Sequence, residues 1–158
     1  MKISQFQVLR EQALNILMEI QERNPAIDFS SLTYADGRLL ATTLKENIDE
    51  SLIACAETVA FYISSNLANH LTKGDVKKIL ISGNKGNILI QGIGRFAVLT
   101  TVIKKNANIK KITDGIEKHM KALRKIEKSY EAILKQYQLP PENIISTSNT
   151  DELSVTAG

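Results

Sequence analysis

Cysteine, tryptophan and proline are scarce in this sequence, whose 158 residues include one cysteine, no tryptophan and three prolines. The single Cys55 excludes an internal disulfide framework and a metal site built from several thiolates. With no disulfides to expect, a reducing, cytoplasmic location is the default interpretation. We interpret Cys55 itself as a small core residue on the buried face of a helix.

Long apolar runs are also missing. The most apolar stretch, 88–103, is broken by Gln91, Gly92, Gly94 and Arg95, and it falls short of the roughly 18 uninterrupted apolar residues that indicate a transmembrane helix. The sequence therefore predicts no membrane span. The N-terminal segment has no compact apolar run before a small-residue cleavage site, so we expect no secretory signal. The overall composition, 43% apolar and 23% charged, is typical of a globular domain.

Motifs for catalysis and nucleotide binding are not found. No GxxxxGK[ST] phosphate loop occurs, and neither His70 nor His119 has an adjacent carboxylate or thiol in the sequence. Gly92-Ile93-Gly94 superficially matches the dinucleotide fingerprint, but that motif needs a following helix and a strand is predicted here, so we assign the glycines to a hairpin. We expect a non-enzymatic protein with no catalytic residues, no metal ion and no cofactor.

Charge is distributed unevenly along the chain. Residues 1–100 are balanced, residues 104–135 hold ten basic and four acidic residues, and residues 139–158 hold three acidic residues and no basic one. The basic segment is interpreted either as a solvated helix face or as a face for polyanions, nucleic acid or a membrane surface. Lysine outnumbers arginine nine to one there, which argues against specific base recognition. The residues of this candidate polyanion or partner face are Lys104, Lys105, Lys110, Lys111, Lys118, Lys121, Arg124, Lys125 and Lys128.

The hydrophobic periodicity predicts three helices and five strands. Asp36-Gly37 indicates a tight hairpin turn. The last three strands are apolar on both faces, so helices should cover both sides of the sheet. The predicted fold class is α/β (α+β), a three-layer α/β/α sandwich with a five-stranded antiparallel sheet in the order α-β-β-α-β-β-β-α. The predicted elements are helices over 3–22, 48–71 and 109–138 and strands over 27–34, 38–44, 76–82, 88–93 and 96–103.

The domain organisation follows from these elements. We expect one domain over 1–138 with extended first and last helices, and a flexible acidic tail over 139–158. The last helix is predicted to be continuous for about 43 Å at 1.5 Å per residue, with a heptad-like seam from Ile109 to Tyr137 that packs on the first helix.

The middle helix carries two apolar stripes. Its richer stripe, which includes Leu52, Val59 and Ile63, is predicted to lie on the sheet. The opposite side has Phe61 among small residues, which suits close approach of a second helix; a lone exposed aromatic that needs no explanation is the alternative. If the strand over 76–82 lies at an edge, it can pair with its copy across a two-fold axis. The predicted dimer interface consists of Ala54, Glu57, Phe61, Ser64, Ser65, Ala68, Val76, Lys77, Lys78, Ile79, Leu80 and Ile81.

Three segments in combination resemble the Roadblock/LC7 family. They are the hairpin LTYADGRLLA (32–41), the middle helix SLIACAETVAFYISSNLANHL (51–71) and the meander KKILISGNKGNILIQGIGRFAVLTTV (77–102). The resemblance extends over about 24–123 and implies a profilin-like, helix-flanked sheet that dimerises through the middle helix and the edge strand. Many members of that family bind Ras-like small GTPases and others are dynein light chains. The long outer helices and the basic-then-acidic ending depart from the family pattern.

The resemblance implies a non-enzymatic homodimeric platform that binds a Ras-like small GTPase and regulates or anchors it. Such a platform can act by ordering the switch loops of the GTPase, without donating a catalytic residue. One alternative is a structural scaffold or light-chain-type subunit of a larger complex, with no effect on a GTPase. Another is weak polyanion binding through the basic last helix. A third is a sensory module that holds a small molecule, although the crowded sheet predicts no obvious cavity.

Overall fold

The computed structural model describes residues 2–137. Within that range the chain forms a five-stranded antiparallel sheet and four helices, so the predicted class and element order are confirmed except that the last helix is divided. The predicted end of that helix at Gln138 and the predicted tail over 139–158 lie outside the described residues. The elements are α1 (Lys2–Arg23), β1 (Ile27–Tyr34), β2 (Leu39–Thr42), α2 (Glu50–His70), β3 (Lys78–Gly83), β4 (Gly86–Ile93), β5 (Ala97–Lys104), α3 (Ile109–Glu117) and α4 (Met120–Gln136).

The strands lie in the order β2-β1-β5-β4-β3, and each neighbouring pair is antiparallel. Two short connections make β1 a neighbour of β2 and β4 a neighbour of β5. Gly37 takes a positive φ of 87° in the β1–β2 turn, and Gly94 takes 59° in the β4–β5 turn, where an L-residue with a side chain would be strained. The glycines at 92 and 94 therefore belong to a hairpin, as predicted, and β3 is an edge strand.

The main core lies between one face of the sheet and the helices α1, α3 and α4. Strand residues that alternate along β1 and β5, such as Leu32 and Leu99, point into it and are almost fully buried. Tyr34 reaches across to Tyr130 of α4, with ring centroids 4.9 Å apart. The predicted packing of the first helix against the last one is thus observed, and α2 covers the other face of the sheet.

The last helix is interrupted at Lys118–His119, so the predicted continuous helix is wrong. The His119 backbone has φ −104° and ψ 0°, outside the helical region, and its N–H donates to the carbonyl of Ile116 at 2.9 Å. Gly115 has low helix propensity, and it packs so closely on Asn24 that a Cβ there would lie 2.9 Å from Nδ2. The apolar seam still continues across the break, because Ile116 and Met120 are both buried.

Helix α2 is, among the described helices, the one that is long and apolar enough to cross a membrane by length and composition. That test alone is weak, because helices of soluble domains also pass it. In this structure α2 packs against the sheet through β1, β4 and β5, and the side that it turns to the strands includes the buried polar residues Glu57 and Thr58. Its apolar outer side is therefore the feature to be explained.

Candidate interaction surface

Helix α2 starts from a well-formed N-cap. The Asp49 carboxylate accepts hydrogen bonds from the backbone N–H of Ser51 at 3.1 Å and of Leu52 at 3.3 Å. These bonds satisfy two amides that would otherwise lack partners at the helix start. The cap ends the preceding loop and determines where the helix begins.

The side of α2 that faces the sheet is centred on a buried carboxylate. Ser31 Oγ donates to Oε1 of Glu57 at 2.8 Å, and Thr33 Oγ1 donates to Oε2 at 3.1 Å. Burial raises the pKa of the Glu57 carboxyl, and hydrogen bonds from Ser31, Thr33 and Thr100 offset part of that rise. The strand register places Ser31 beside Thr100 on the same face of the sheet, so a row of hydroxyls meets the helix.

Phe61 packs on the sheet one helical turn further along. A Cβ added to Gly92 would lie 2.9 Å from Cζ of its ring, so the ring occupies the space that a side chain on β4 would take. Gly92 therefore lets the aromatic ring lie close to the strand. Phe61 is half-buried within this chain. It does not project away from the sheet to contact a second helix, as the sequence predicted.

The predicted orientation of α2 is therefore wrong, since its two faces are interchanged. Ala54 and Glu57 are buried against the strands, so neither side chain is available to a partner in this structure. Phe61 belongs to the same inward side, while Ser64, Ser65 and Ala68 are half-buried at its margins. Cys55, interpreted as a core residue, is exposed. The helical periodicity correctly assigned the residues to two stripes. The assumption that the more apolar stripe contacts the sheet was wrong.

The exposed side of α2 carries an aliphatic row. Leu52, Ile63 and Leu67 are 68%, 60% and 60% exposed, and Val59 between them is also exposed. We call these four residues the outer α2 stripe. Single exposed apolar side chains are common, but a contiguous row of them along a helix is typical of an interaction site.

The open edge of the sheet is the second exposed feature. Strand β3 pairs with β4 on one side, and its other side has no neighbouring strand in the described chain. Leu80 and Ile81 are exposed, as are Lys77 and Lys78, whereas Val76 and Ile79 are half-buried. The predicted interface residues from 76 to 81 thus lie on or just before an accessible edge, which is able to accept a further strand.

An open groove of about 870 Å³ lies beside the start of β3. Its lining includes Phe61 and Ser65 from α2, Lys77 before β3, and Arg95 and Arg124 from the side of the hairpin and α4. The groove connects the margin of α2 with the open edge, so the two exposed features adjoin each other.

Most of the predicted basic face lies apart from this surface, since Arg124 is the one of its nine residues that lines the groove. All nine of its residues are exposed, and those on α3 and α4 are on the side of the sheet opposite α2. Lys110 is paired with Asp114 at 3.3 Å, and Lys104 donates to the carbonyl of Pro25 at 3.1 Å. The other members surround the start of α3 and the outer side of α4.

A second buried carboxylate was not predicted from the sequence. Glu127 of α4 is 2% exposed and lies against Gly94, where an added Cβ would collide with its carboxylate. Burial and the neighbouring Glu131 raise the pKa of Glu127, while the backbone amides of Phe96 and Arg95 lower it. The carboxylate thus packs directly against the β4–β5 turn.

Among residues 2–137, no group of three or more His, Cys, Asp and Glu side chains is placed to hold a metal ion.

The fold is shared with several solved proteins. MglB of Myxococcus xanthus matches with a TM-score of 0.69 and 17% sequence identity, over 78% of this chain and 91% of that protein. The gliding protein MglB of Thermus thermophilus matches with a TM-score of 0.66 and 19% identity, over 75% of this chain and 90% of that one. A Roadblock/LC7 domain from Streptomyces avermitilis matches with a TM-score of 0.66 and 12% identity, over 70% of this chain and 93% of that domain.

At these identities the likeness shows a common fold and nothing finer. No curated relative matches the sequence significantly. The family model of the Roadblock/LC7 domain, however, matches residues 17–104, which is more than half of the chain and includes the whole sheet and α2. This chain therefore belongs to the Roadblock/LC7 family.

Proposed function

We propose that this chain is a non-enzymatic homodimeric platform that binds a Ras-like small GTPase and regulates or anchors it. The observation that carries the proposal is the outer α2 stripe, an apolar row exposed beside an open sheet edge in a Roadblock/LC7 domain. The resemblance described above implies dimerisation through these same two elements. The proposal keeps the predicted strand 76–81 and replaces the predicted face of α2 by Leu52, Val59, Ile63 and Leu67.

The energetics favour covering the stripe. Removing a large aliphatic side chain from water contributes about 1.5–3 kcal/mol when its burial is complete. Two copies related by a two-fold axis would bring two such stripes together, and the same axis could pair β3 with its copy. The solved MglB described as having a tetrameric arrangement supports the view that this fold assembles with itself.

The assembly is tested by light scattering after size exclusion. The variant Ile63→Glu/Leu67→Glu places two carboxylates in the stripe, and Val8→Glu/Met18→Glu is the matched control, because Val8 and Met18 are exposed apolar residues on α1. We expect a dimer for the wild type and the control, and a monomer for the stripe variant. A monomeric wild type, or a stripe variant that remains dimeric, would contradict the proposed interface.

The partner is tested with a purified Ras-like GTPase from the same genome, loaded with GTP or GDP. We expect binding that depends on the nucleotide and is lost in the stripe variant but kept in the control. Measuring GTP turnover in the same mixtures separates regulation from anchoring. If the dimer forms but neither binding nor a change in turnover is detected, the scaffold or light-chain alternative replaces the GTPase platform.

A further inference from the structure

A second, smaller cavity lies on the other side of the molecule. It is open to solvent and has a volume of about 440 Å³ between the end of α1, the start of α3 and the break between α3 and α4. The charged residues that line it are Arg23, Lys110, Lys111, Asp114 and Lys118, with His119 beside them. Four fixed positive charges thus surround the cavity, against one carboxylate in its lining.

The carboxylates near this cavity leave part of the positive charge unpaired. Arg23 lies 3.1 Å from Glu19, and Lys110 lies 3.3 Å from Asp114. Lys111 and Lys118 have no ion pair within residues 2–137. Since like charges held close together repel one another, a cluster of this kind favours an anionic ligand.

The cavity is bounded by side chains held in place. Asn108 accepts a hydrogen bond from the backbone N–H of Lys111 at 3.2 Å and so begins α3 at the cavity. Asn24 is buried, donates to the carbonyl of Ile20 at 2.8 Å and packs on Gly115. His119 lies with Nδ1 3.1 Å from the carbonyl oxygen of Gly115. These three residues fix the backbone and the floor of the cavity, while the charged side chains at its rim are exposed.

We infer that this cavity binds a ligand that carries clustered phosphate groups. Lysine and arginine form strong charge-assisted hydrogen bonds with phosphate oxygens, and the positive end of the α3 dipole adds to them. A volume near 440 Å³ suits a small molecule, since ligand pockets span about 300–1,000 Å³. The net positive charge of the lining matches several phosphates better than one.

Such phosphates could belong to a free solute or to the headgroup of a phosphoinositide. The inference concerns the cavity and not the basic face as a whole, since Lys121 and Lys125 on α4 are also exposed but do not line it. It is also independent of the proposed GTPase platform, because α3 and α2 cover opposite faces of the sheet.

The experiment compares two variants that each remove two positive charges. The cavity variant, Lys111→Ala/Lys118→Ala, removes the two lysines of the cavity lining that have no ion pair in the described residues. The control, Lys121→Ala/Lys125→Ala, removes two positive charges outside the cavity. Soluble inositol 1,4,5-trisphosphate is titrated into each protein by calorimetry at physiological salt. Vesicles that contain phosphatidylinositol 4,5-bisphosphate, or phosphatidylserine at equal surface charge, are tested by co-sedimentation. Circular dichroism checks that each variant is folded.

We expect the cavity variant to lose affinity by about tenfold or more, because it removes two donors of charge-assisted hydrogen bonds to phosphate, while the control changes little. Loss of trisphosphate binding in the cavity variant alone supports the inference with a free ligand as the source. Loss of binding only to phosphoinositide vesicles, again in the cavity variant alone, supports it with a lipid headgroup as the source. Equal weakening of both variants, equal binding to phosphatidylserine vesicles, or no binding of either probe would overturn it.

Discussion

The hydroxyl of Ser31 donates a 2.8 Å hydrogen bond to the carboxylate of Glu57, and both side chains are buried. This bond joins β1 to the inward side of α2. Hydrogen bonds to charged groups contribute about 1.5–3 kcal/mol, and an unpaired buried carboxylate would cost more than that. Rotating α2 to bury its outer stripe would break this contact, so the polar pair holds the aliphatic side of the helix outward.

Glu57→Gln should make folding less sensitive to pH. Burial raises the pKa of Glu57 above its ordinary 4.5, so the native state binds this proton more tightly than the unfolded state does. The stabilisation from that proton is complete below the ordinary pKa and is lost as pH rises through the raised value. Gln carries no charge, so the variant does not lose this stabilisation. Its free energy of unfolding should therefore rise relative to that of the wild type as pH increases, by at most about 1.4 kcal/mol per pH unit.

The measurement is urea unfolding of both proteins at several pH values from 4 to 8, with Glu22→Gln at an exposed position as the control. The control should follow the wild type at every pH. A constant difference between Glu57→Gln and the wild type would show that folding does not change the pKa of Glu57, contrary to the direction given above.

Gly92→Ala should destabilise the domain through Phe61. The added Cβ would lie 2.9 Å from the ring, so the ring or the helix must shift, and overpacking of this kind costs about 1–3 kcal/mol. Phe61→Leu shortens the side chain and should remove most of that penalty. A double-mutant cycle measured by thermal unfolding would show a coupling of about 1 kcal/mol or more. An additive cycle would mean that the cost of the alanine arises from the backbone of β4 and not from Phe61.

The strands were predictable because their signals are local. The Asp36-Gly37 turn and the glycines at 92 and 94 need backbone conformations that few residues adopt, and they bracket β1, β2, β4 and β5 within a few residues of their observed ends. The sequence left the edge position of β3 open. The two-sided burial predicted for the meander is observed in β4 and β5 but not in β3, most of whose residues are exposed.

The orientation of α2 was not predictable from its own residues. Its richer apolar stripe would normally lie inward, but the strand beneath it presents the hydroxyls of Ser31 and Thr33, which donate hydrogen bonds to Glu57. The residues that determine the orientation of α2 therefore lie in another part of the chain, on strands that contact the helix only in the folded domain. A hydroxyl at every second position of β1, opposite a glutamate in the helix, is the signal that could have revealed it.

The interruption of the last helix also depends on distant contacts. Gly115 and Asp114 lower the local helix propensity, yet the seam runs through the break without a change of phase. Gly115 packs closely on Asn24, the residue that directly follows α1, two residues before α3 ends. Sequence periodicity alone cannot separate a continuous helix from two helices that share one buried side.

Cys55 should report on the proposed dimer directly. It is exposed on α2 near the outer stripe, and the sequence contains no other thiol. Burial of the stripe between two copies would shield it, so the rate of modification by a maleimide dye should fall as the protein concentration is raised. The stripe variant Ile63→Glu/Leu67→Glu should be labelled at one fast rate at all concentrations. If wild type and variant react alike over the whole range, the thiol is not near an interface.

Asp49→Ala should weaken the start of α2 and thereby the surface built on it. The carboxylate satisfies the amides of Ser51 and Leu52, and loss of an N-cap costs about 0.5–2 kcal/mol. Glu46→Ala is a suitable control, because Glu46 is exposed in the loop just before the cap. In hydrogen-exchange measurements, the backbone amides in the first turn of α2 should exchange faster in Asp49→Ala than in the wild type, and Glu46→Ala should not show this change. The denaturation midpoint of Asp49→Ala should also be lower. If the dimer uses the outer stripe, weaker dimerisation should accompany it, since Leu52 lies in that first turn. Unchanged exchange in the first turn would show that the cap contributes nothing to helix stability, and the two hydrogen bonds would then be incidental.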